Sequence, residues 1–465
     1  MGQLWQMGAA DLAATIRERK ASSREVVEAH LHRIGEVNPG LNAVTVTLSE
    51  QALAAADEAD RALARGAEVG VLHGVPMTVK ENVDLTGSAT TWGTRALAQA
   101  MPSLDAPHVA HLKQEGAIPI GRTNLPDFAL RWHTDSGLHG PTRNPWDAGV
   151  TPGGSSGGEA AALATGMTPL GVGNDLGGSL RWPSQCCGTA TIRPTQGRVP
   201  WATSIEPTEE PIGIQLMGVQ GPMARHVRDV RLALQIMSRP SARDPWYVPA
   251  PLAGPPPPSP VRVAIVTNPC GSGVDPDIEA GVRLAAGALS DAGYAVDEVE
   301  PPDIAGAATL WTELLGMDVH GMEPVLRQVM GDDAQVFLNH TLQALPASDP
   351  AAYAMVFMRR AAALRAWSEF LQQHPIVLAP LYTARPFAPR ADLDFEQAAA
   401  IVDGMRMVVA VNLLGLPSAV VPVGTAGGLP QTVQLIGARY REDVCLDAAE
   451  AIEERQGVLT PIDPR

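Results

Sequence analysis

Lysine is almost absent from this sequence: 465 residues hold only Lys20, Lys80 and Lys113. A general preference for arginine produces the same scarcity, so rarity alone singles out none of the three. The 34 basic residues form no run, and the formal net charge is -16. That excludes a nucleic-acid surface, because phosphate binding needs a concentrated positive face. No uninterrupted apolar stretch reaches about 18 residues, which leaves no membrane-spanning helix. The first twenty residues lack a basic start followed by an apolar run, so no signal peptide is expected. The four cysteines, Cys186, Cys187, Cys270 and Cys445, have no metal-ligand spacing, and adjacent Cys186 and Cys187 make a poor disulfide. Free thiols in a cytoplasmic protein are the expectation.

What is present is a large apolar fraction, 45% of the residues, enough for an extensive core. Ser22 with Glu25 fits a capping box opening a helix within 11–37. Strands are expected at 41–48, 75–79, 117–121, 261–266, 295–299 and 376–380, and a hairpin joins 418–423 to 431–436 across Gly427-Gly428. Helices are expected at 49–66, 108–116, 223–237, 277–292, 398–414 and 443–454. The β-α-β run from 261 to 299 argues for an α/β class. Residues 238–260 are Pro-rich and read as a surface linker, and residues 205–213 as a surface loop. The stretch from about 305 to 370 reads as a helical insertion capping one side. No internal repeat is found.

The densest chemistry lies between Thr151 and Ser184. Gly153-Gly154-Ser155-Ser156-Gly157-Gly158 and Gly177-Gly178-Ser179 place two serines in glycine loops, separated by an Ala-rich helix and a short apolar strand. Glycine lets backbone N–H groups approach a ligand, and a serine among such donors suits attack on a carbonyl. Lys80 ends the strand 75–79. Such a lysine either reaches water by snorkelling or lies buried with a lowered pKa, a neutral base. Residues 153–157 also match the G-x-S-x-G elbow of α/β-hydrolases, with Ser155 as nucleophile. That reading needs a downstream acid and histidine, and His226, His320, His340 and His374 have no telling context. It also needs a strand before Gly153, where 145–152 reads as loop. No lysine follows the glycines as a P-loop requires. The run from Gly171 to Gly177 mimics a dinucleotide loop with one residue too many.

Taken together, VPMTVKENVD, PTRNPWDAGVTPGGSSGGEAAALATG, GVGNDLGGSLRWPSQCCG, RPTQGRVP, GPMAR and the closing GLPSAVVPVG…GLPQTVQLIG resemble the amidase signature family. The resemblance runs from about residue 9 to 455. Lys80 and Ser155 stand 75 residues apart, and Ser155 and Ser179 stand 24 apart, as in that family. It implies one three-layer α/β/α domain over residues 1–465, built on a large mixed sheet. It implies amide hydrolysis through a seryl acyl-enzyme without metal or organic cofactor, with anilides, esters and carbamates as further substrates. Ser179 becomes the nucleophile, Ser155 the relay after a cis peptide, and Lys80 the base. The oxyanion hole falls on the N–H groups of Leu176, Gly177, Gly178 and Ser179, and the substrate loop on Ala129, Leu130 and Trp132. Asp175 and Arg181 would brace the loop, Ser156 would hydrogen-bond within its turn, and Cys187 fills a family position. Asn174 stands where Ser or Thr is common, and Leu176 where Thr is frequent. The implied partner is a small amide, ester or carbamate substrate, and a homodimer is compatible. The glutamine-hydrolysing subunit of a tRNA-dependent amidotransferase is the alternative within the family.

Overall fold

A computed structural model describes residues 4–345 and 349–465. Eleven strands form one mixed sheet. From one edge, the spatial order is Val44–Thr47, Ile118–Thr123, Pro76–Lys80, Leu170–Asp175, Val219–Ala224, Ala190–Arg193, Ser418–Ala426, Leu429–Gly437, Ile376–Ala379, Arg262–Ile265 and Ala295–Glu298. The strand Pro76–Lys80 runs parallel to both of its neighbours. Leu170–Asp175 pairs antiparallel with Val219–Ala224, and the hairpin Ser418–Ala426/Leu429–Gly437 is antiparallel.

Central strands are apolar on both faces because both faces are covered. In Ile376–Ala379, Ile376 and Leu378 belong to one buried cluster and Val377 and Ala379 to another, the two-residue alternation of a pleated strand. One cluster gathers the helices Ala9–Arg17, Val227–Met237, Pro276–Asp291 and Glu442–Gln456. The other gathers Gly157–Ala164, Ile304–Val329 and Arg406–Leu414. The result is a three-layer α/β/α architecture. The Ala-rich helix Gly157–Ala164 is buried throughout, and its first turn is glycine for lack of space. A Cβ on Gly158 would lie 2.5 Å from the backbone nitrogen of Asn124 and 2.7 Å from the carbonyl oxygen of Ala43.

The capping box at Ser22 and Glu25 forms, and the hairpin turns at Gly427-Gly428. Two expectations fail. The helix expected from 223 begins at Val227, because Val219–Ala224 is a strand in the middle of the sheet. Gly221 and Pro222 disguise it, since proline is rare in central strands. Here Pro222 stands opposite Val172, and its carbonyl accepts from the Thr191 hydroxyl at 2.8 Å. The helix expected over 398–414 is two, Phe395–Gly404 and Arg406–Leu414, bent by 62°. Residues 238–260 contain neither helix nor strand beyond the end of the preceding helix. They are pinned by Arg198, which donates to the carbonyls of Ala250 and Pro251. The expected cap holds the helices Ile304–Val329, Asp332–Ala344 and Pro350–Gln373; its residues 346–348 lie outside the described residues. Among the described residues no single helix is long and apolar enough to cross a membrane. The bent pair passes that test only jointly, and Arg406–Leu414 is packed into the core.

Candidate active site

Two neighbouring strands and the loop before a buried helix deliver the site. Lys80 ends Pro76–Lys80, whose five residues are all buried, and its own exposure is 0%. Its Nζ donates to Ser155 Oγ at 2.7 Å and to Asn174 Oδ1 at 2.7 Å. Both partners are neutral. Burial lowers the amine's pKa to about 7, against the opposing pull of Asp175 and Glu159. Glu159 does not cancel the effect, because its own carboxyl is raised by burial to about 7. It accepts from the hydroxyls of Thr78 and Thr123.

Ser155 lies between the loop 151–154 and the helix Gly157–Ala164, and the Gly154–Ser155 peptide is cis. Ser179 follows the strand Leu170–Asp175 and is 7% exposed. Ser155 and Ser179 line one cavity together. The three residues joined by the sequence pattern, 75 and 24 positions apart, are thus gathered at one place.

The turn between Asp175 and Ser179 is held on both sides. Asp175 accepts from the N–H groups of Gly178 at 2.9 Å and Leu180 at 3.3 Å, from Arg181 Nε at 3.0 Å and from Asn412 Nδ2 at 2.7 Å. Burial pushes its carboxyl up, but Arg181, Arg193 and Asn412 outweigh that and hold it well below the usual carboxylate range. On the other side, two indoles take the turn's carbonyls. Trp311 Nε1 donates to the oxygen of Leu176 at 2.9 Å, and Trp132 Nε1 to that of Gly177 at 2.7 Å. The N–H groups of Leu176, Gly177 and Ser179 have no protein partner among the described residues. Gly178 differs from the sequence expectation, since its N–H is occupied by Asp175. Its φ of +100° also favours glycine, and a Cβ there would lie 2.4 Å from Val408 Cγ1.

Ala129, Leu130 and Trp132 border a cavity of about 320 Å³ together with Gly177 and Ser179. Trp311, Leu315, Phe337 and Phe395 complete an apolar wall. Arg131 also borders it, but its Nε and Nη2 are bound to Asp392 at 2.8 and 2.9 Å. Ser156 departs from expectation: its Oγ is buried without a partner rather than bonded in the turn. Cys186 and Cys187 are buried free thiols whose pKa values burial pushes up.

Sequence reasoning missed Asn82, which accepts from Asn174 Nδ2 at 2.9 Å and so fixes the amide that faces Lys80. Its place two residues after Lys80 was the available signal. It also missed Trp311, which lies in the helical segment where no motif marks it.

The family profile described as Amidase matches residues 25–446. The chain belongs to the amidase signature family. This amidase is 47% identical over 461 residues to the indoleacetamide hydrolase of Bradyrhizobium diazoefficiens, covering 98% of this chain and 88% of that one. It is 30% identical to a glutamyl-tRNA(Gln) amidotransferase component of Salinispora arenicola, over 99% of each. A bacterial aryl acylamidase of the amidase signature family superposes with a TM-score of 0.83 at 26% identity, covering 96% of each chain. The amidase is therefore a hydrolase of amide C–N bonds.

Asp175→Asn should lower the stability of this amidase by about 3–5 kcal/mol, the scale for leaving buried cations unpaired. Urea unfolding measures it, and an unchanged midpoint would contradict the bracing role assigned to Asp175.

Proposed function

We propose that Ser179 is the nucleophile, Ser155 the proton relay and Lys80 the terminal base. A neutral amine is needed to accept a proton, and the burial of Lys80 supports that state near neutral pH. Ser155 passes its proton to Lys80 as it takes that of Ser179, whose Oγ forms a bond to the substrate carbonyl carbon. The oxyanion meets the free N–H groups of Leu176, Gly177 and Ser179; one such donor is typically worth about 10²–10³ in rate. On collapse the C–N bond breaks, and the amine leaves with a proton from Ser155, which Lys80 replaces. Water then cleaves the acyl-Ser179 ester by the same proton route. Anilides, esters and carbamates present the same carbonyl to Ser179.

The acyl group we propose is an arylacetyl group, so that indole-3-acetamide or a similar primary amide is the substrate. One observation carries this reading: the cavity bordering Ser179 is walled by Trp132, Trp311, Phe337 and Phe395. Its volume suits a small ligand and its lining suits a flat apolar ring. The 47% identity to an indoleacetamide hydrolase supports it. Glutamine fits poorly, because its ammonium and carboxylate need charged partners when buried, and the charge of Arg131 is balanced by Asp392, which takes Nε and Nη2 and leaves only Nη1 without a hydrogen-bond partner among the described residues.

Steady-state hydrolysis of indole-3-acetamide should exceed that of L-glutamine by at least about 10³-fold in kcat/KM, a gap of roughly 4 kcal/mol. Comparable rates would overturn the substrate assignment. Mass spectrometry after a fluorophosphonate should find the adduct on Ser179; an adduct on Ser155 would reverse the roles of the two serines.

The pH dependence has a definite sign. Lys80 acts unprotonated, and its pKa lies at about 7. So kcat/KM for indole-3-acetamide should rise about tenfold per pH unit below 7 and level off above it. A profile that falls across pH 6–8 would contradict a neutral-lysine base.

A further inference from the structure

Ser179 borders two cavities, not one. The first is the tryptophan-walled cavity assigned above to the acyl group. The second, of about 220 Å³, shares Leu176, Ala129 and Leu130 with the first. Ser155 borders only the second. That asymmetry orients the substrate. The departing nitrogen must face the group that protonates it, so whatever the nitrogen carries projects into the cavity that Ser155 shares.

Ammonia needs little of that space. A water-sized molecule occupies about 30 Å³, several times less than the volume available. A passage for water alone would also be lined differently. The wall is mainly Trp92, Phe128, Ile205, Pro207, Met322 and Leu326, with Trp92 and Phe128 stacked at 5.9 Å between centroids. At the Ser155 end Asn174 faces Lys80 and Asn82 binds Asn174, while Thr203, Glu206 and Glu210 add polar groups elsewhere in the lining. The rest of the lining is apolar and suits an apolar group, with Val325, 60% exposed, among its residues.

We infer that this second cavity receives the amine half of the substrate, and that the amidase hydrolyses secondary amides whose nitrogen carries an apolar ring of benzyl size. The inference rests on the proposed roles of Ser179 and Ser155. In the step, the C–N bond breaks, Ser155 gives its proton to nitrogen, and the arylmethylamine leaves through the second cavity while the acyl group stays on Ser179.

The test holds the acyl group constant and varies the amine. Indole-3-acetamide, its N-methyl amide and its N-benzyl amide are each incubated with the whole enzyme, and released indole-3-acetate is quantified by chromatography. Benzylamine is less basic than methylamine and the better leaving group, so the change of the N-benzyl advantage in the cavity variants is what reports on binding. The N-benzyl amide should show a kcat/KM at least about tenfold above the N-methyl amide. Met322→Trp, which fills the cavity, and Ile205→Asp, which places a charge in it, should each lower the N-benzyl to primary-amide kcat/KM ratio about tenfold or more. Thermal unfolding of each variant checks that it is folded. Cleavage of the primary amide with no advantage for N-benzyl over N-methyl overturns this inference and leaves the proposed function standing. A ratio unmoved in folded variants also overturns it. No cleavage of any of the three removes the proposed function and this inference with it.

Discussion

The site depends on keeping water away from one amine. Lys80 is fully buried, and its two hydrogen-bond partners, Ser155 and Asn174, carry no charge. An ammonium in such a place lacks the compensation that buried cations otherwise need. Asp175 and Glu159 pull toward the charged form but do not outweigh burial. Asp175 is committed to Arg181, and the Glu159 carboxyl is pushed up by its own burial. Desolvation therefore wins over Coulomb attraction at Lys80, and it does so because the strand Pro76–Lys80 sits inside the sheet with a neighbour on either side. The sheet does more than support the site; its dryness sets the protonation state.

A second consequence of burial is how the turn before Ser179 is oriented. Every carbonyl and N–H in a dry turn needs a partner or a ligand. Two indole N–H groups take the carbonyls of Leu176 and Gly177, and Asp175 takes the N–H of Gly178. What remain unpaired among the described residues are the N–H groups of Leu176, Gly177 and Ser179. Trp132 and Trp311 serve twice, since the same rings that fix the turn also wall the cavity beside Ser179. The cavity wall and the loop geometry are thereby coupled through two side chains.

Much of this was legible in the residues. Lys80, Ser155 and Ser179, which the structure brings to one place, are marked by motif and spacing, and Ala129, Leu130 and Trp132, which border the cavity beside them, by their position. The alternating and Ala-rich segments announced the layers. What escaped did so for physical reasons. Val219–Ala224 contains glycine and proline, which local propensity reads as a break, whereas pairing on both sides makes it a strand. The bend at Met405 carries no proline, and the apolar residues on either side of it read as one helix. The occupied N–H of Gly178 and the unpartnered hydroxyl of Ser156 are outcomes of tertiary packing. Trp311 comes from a helix more than a hundred residues away in the chain, and no local pattern ties it to Leu176.

The scarcity of lysine makes the central claim directly measurable. With ¹⁵N-labelled lysine, NMR of the intact protein should resolve only Lys20, Lys80 and Lys113, and Lys80→Arg identifies the signal that disappears. Lys20 and Lys113 pair with acids near the surface, whereas Lys80 should titrate near 7. Three side-chain nitrogens all titrating above about pH 10, the ordinary lysine range, would contradict the account.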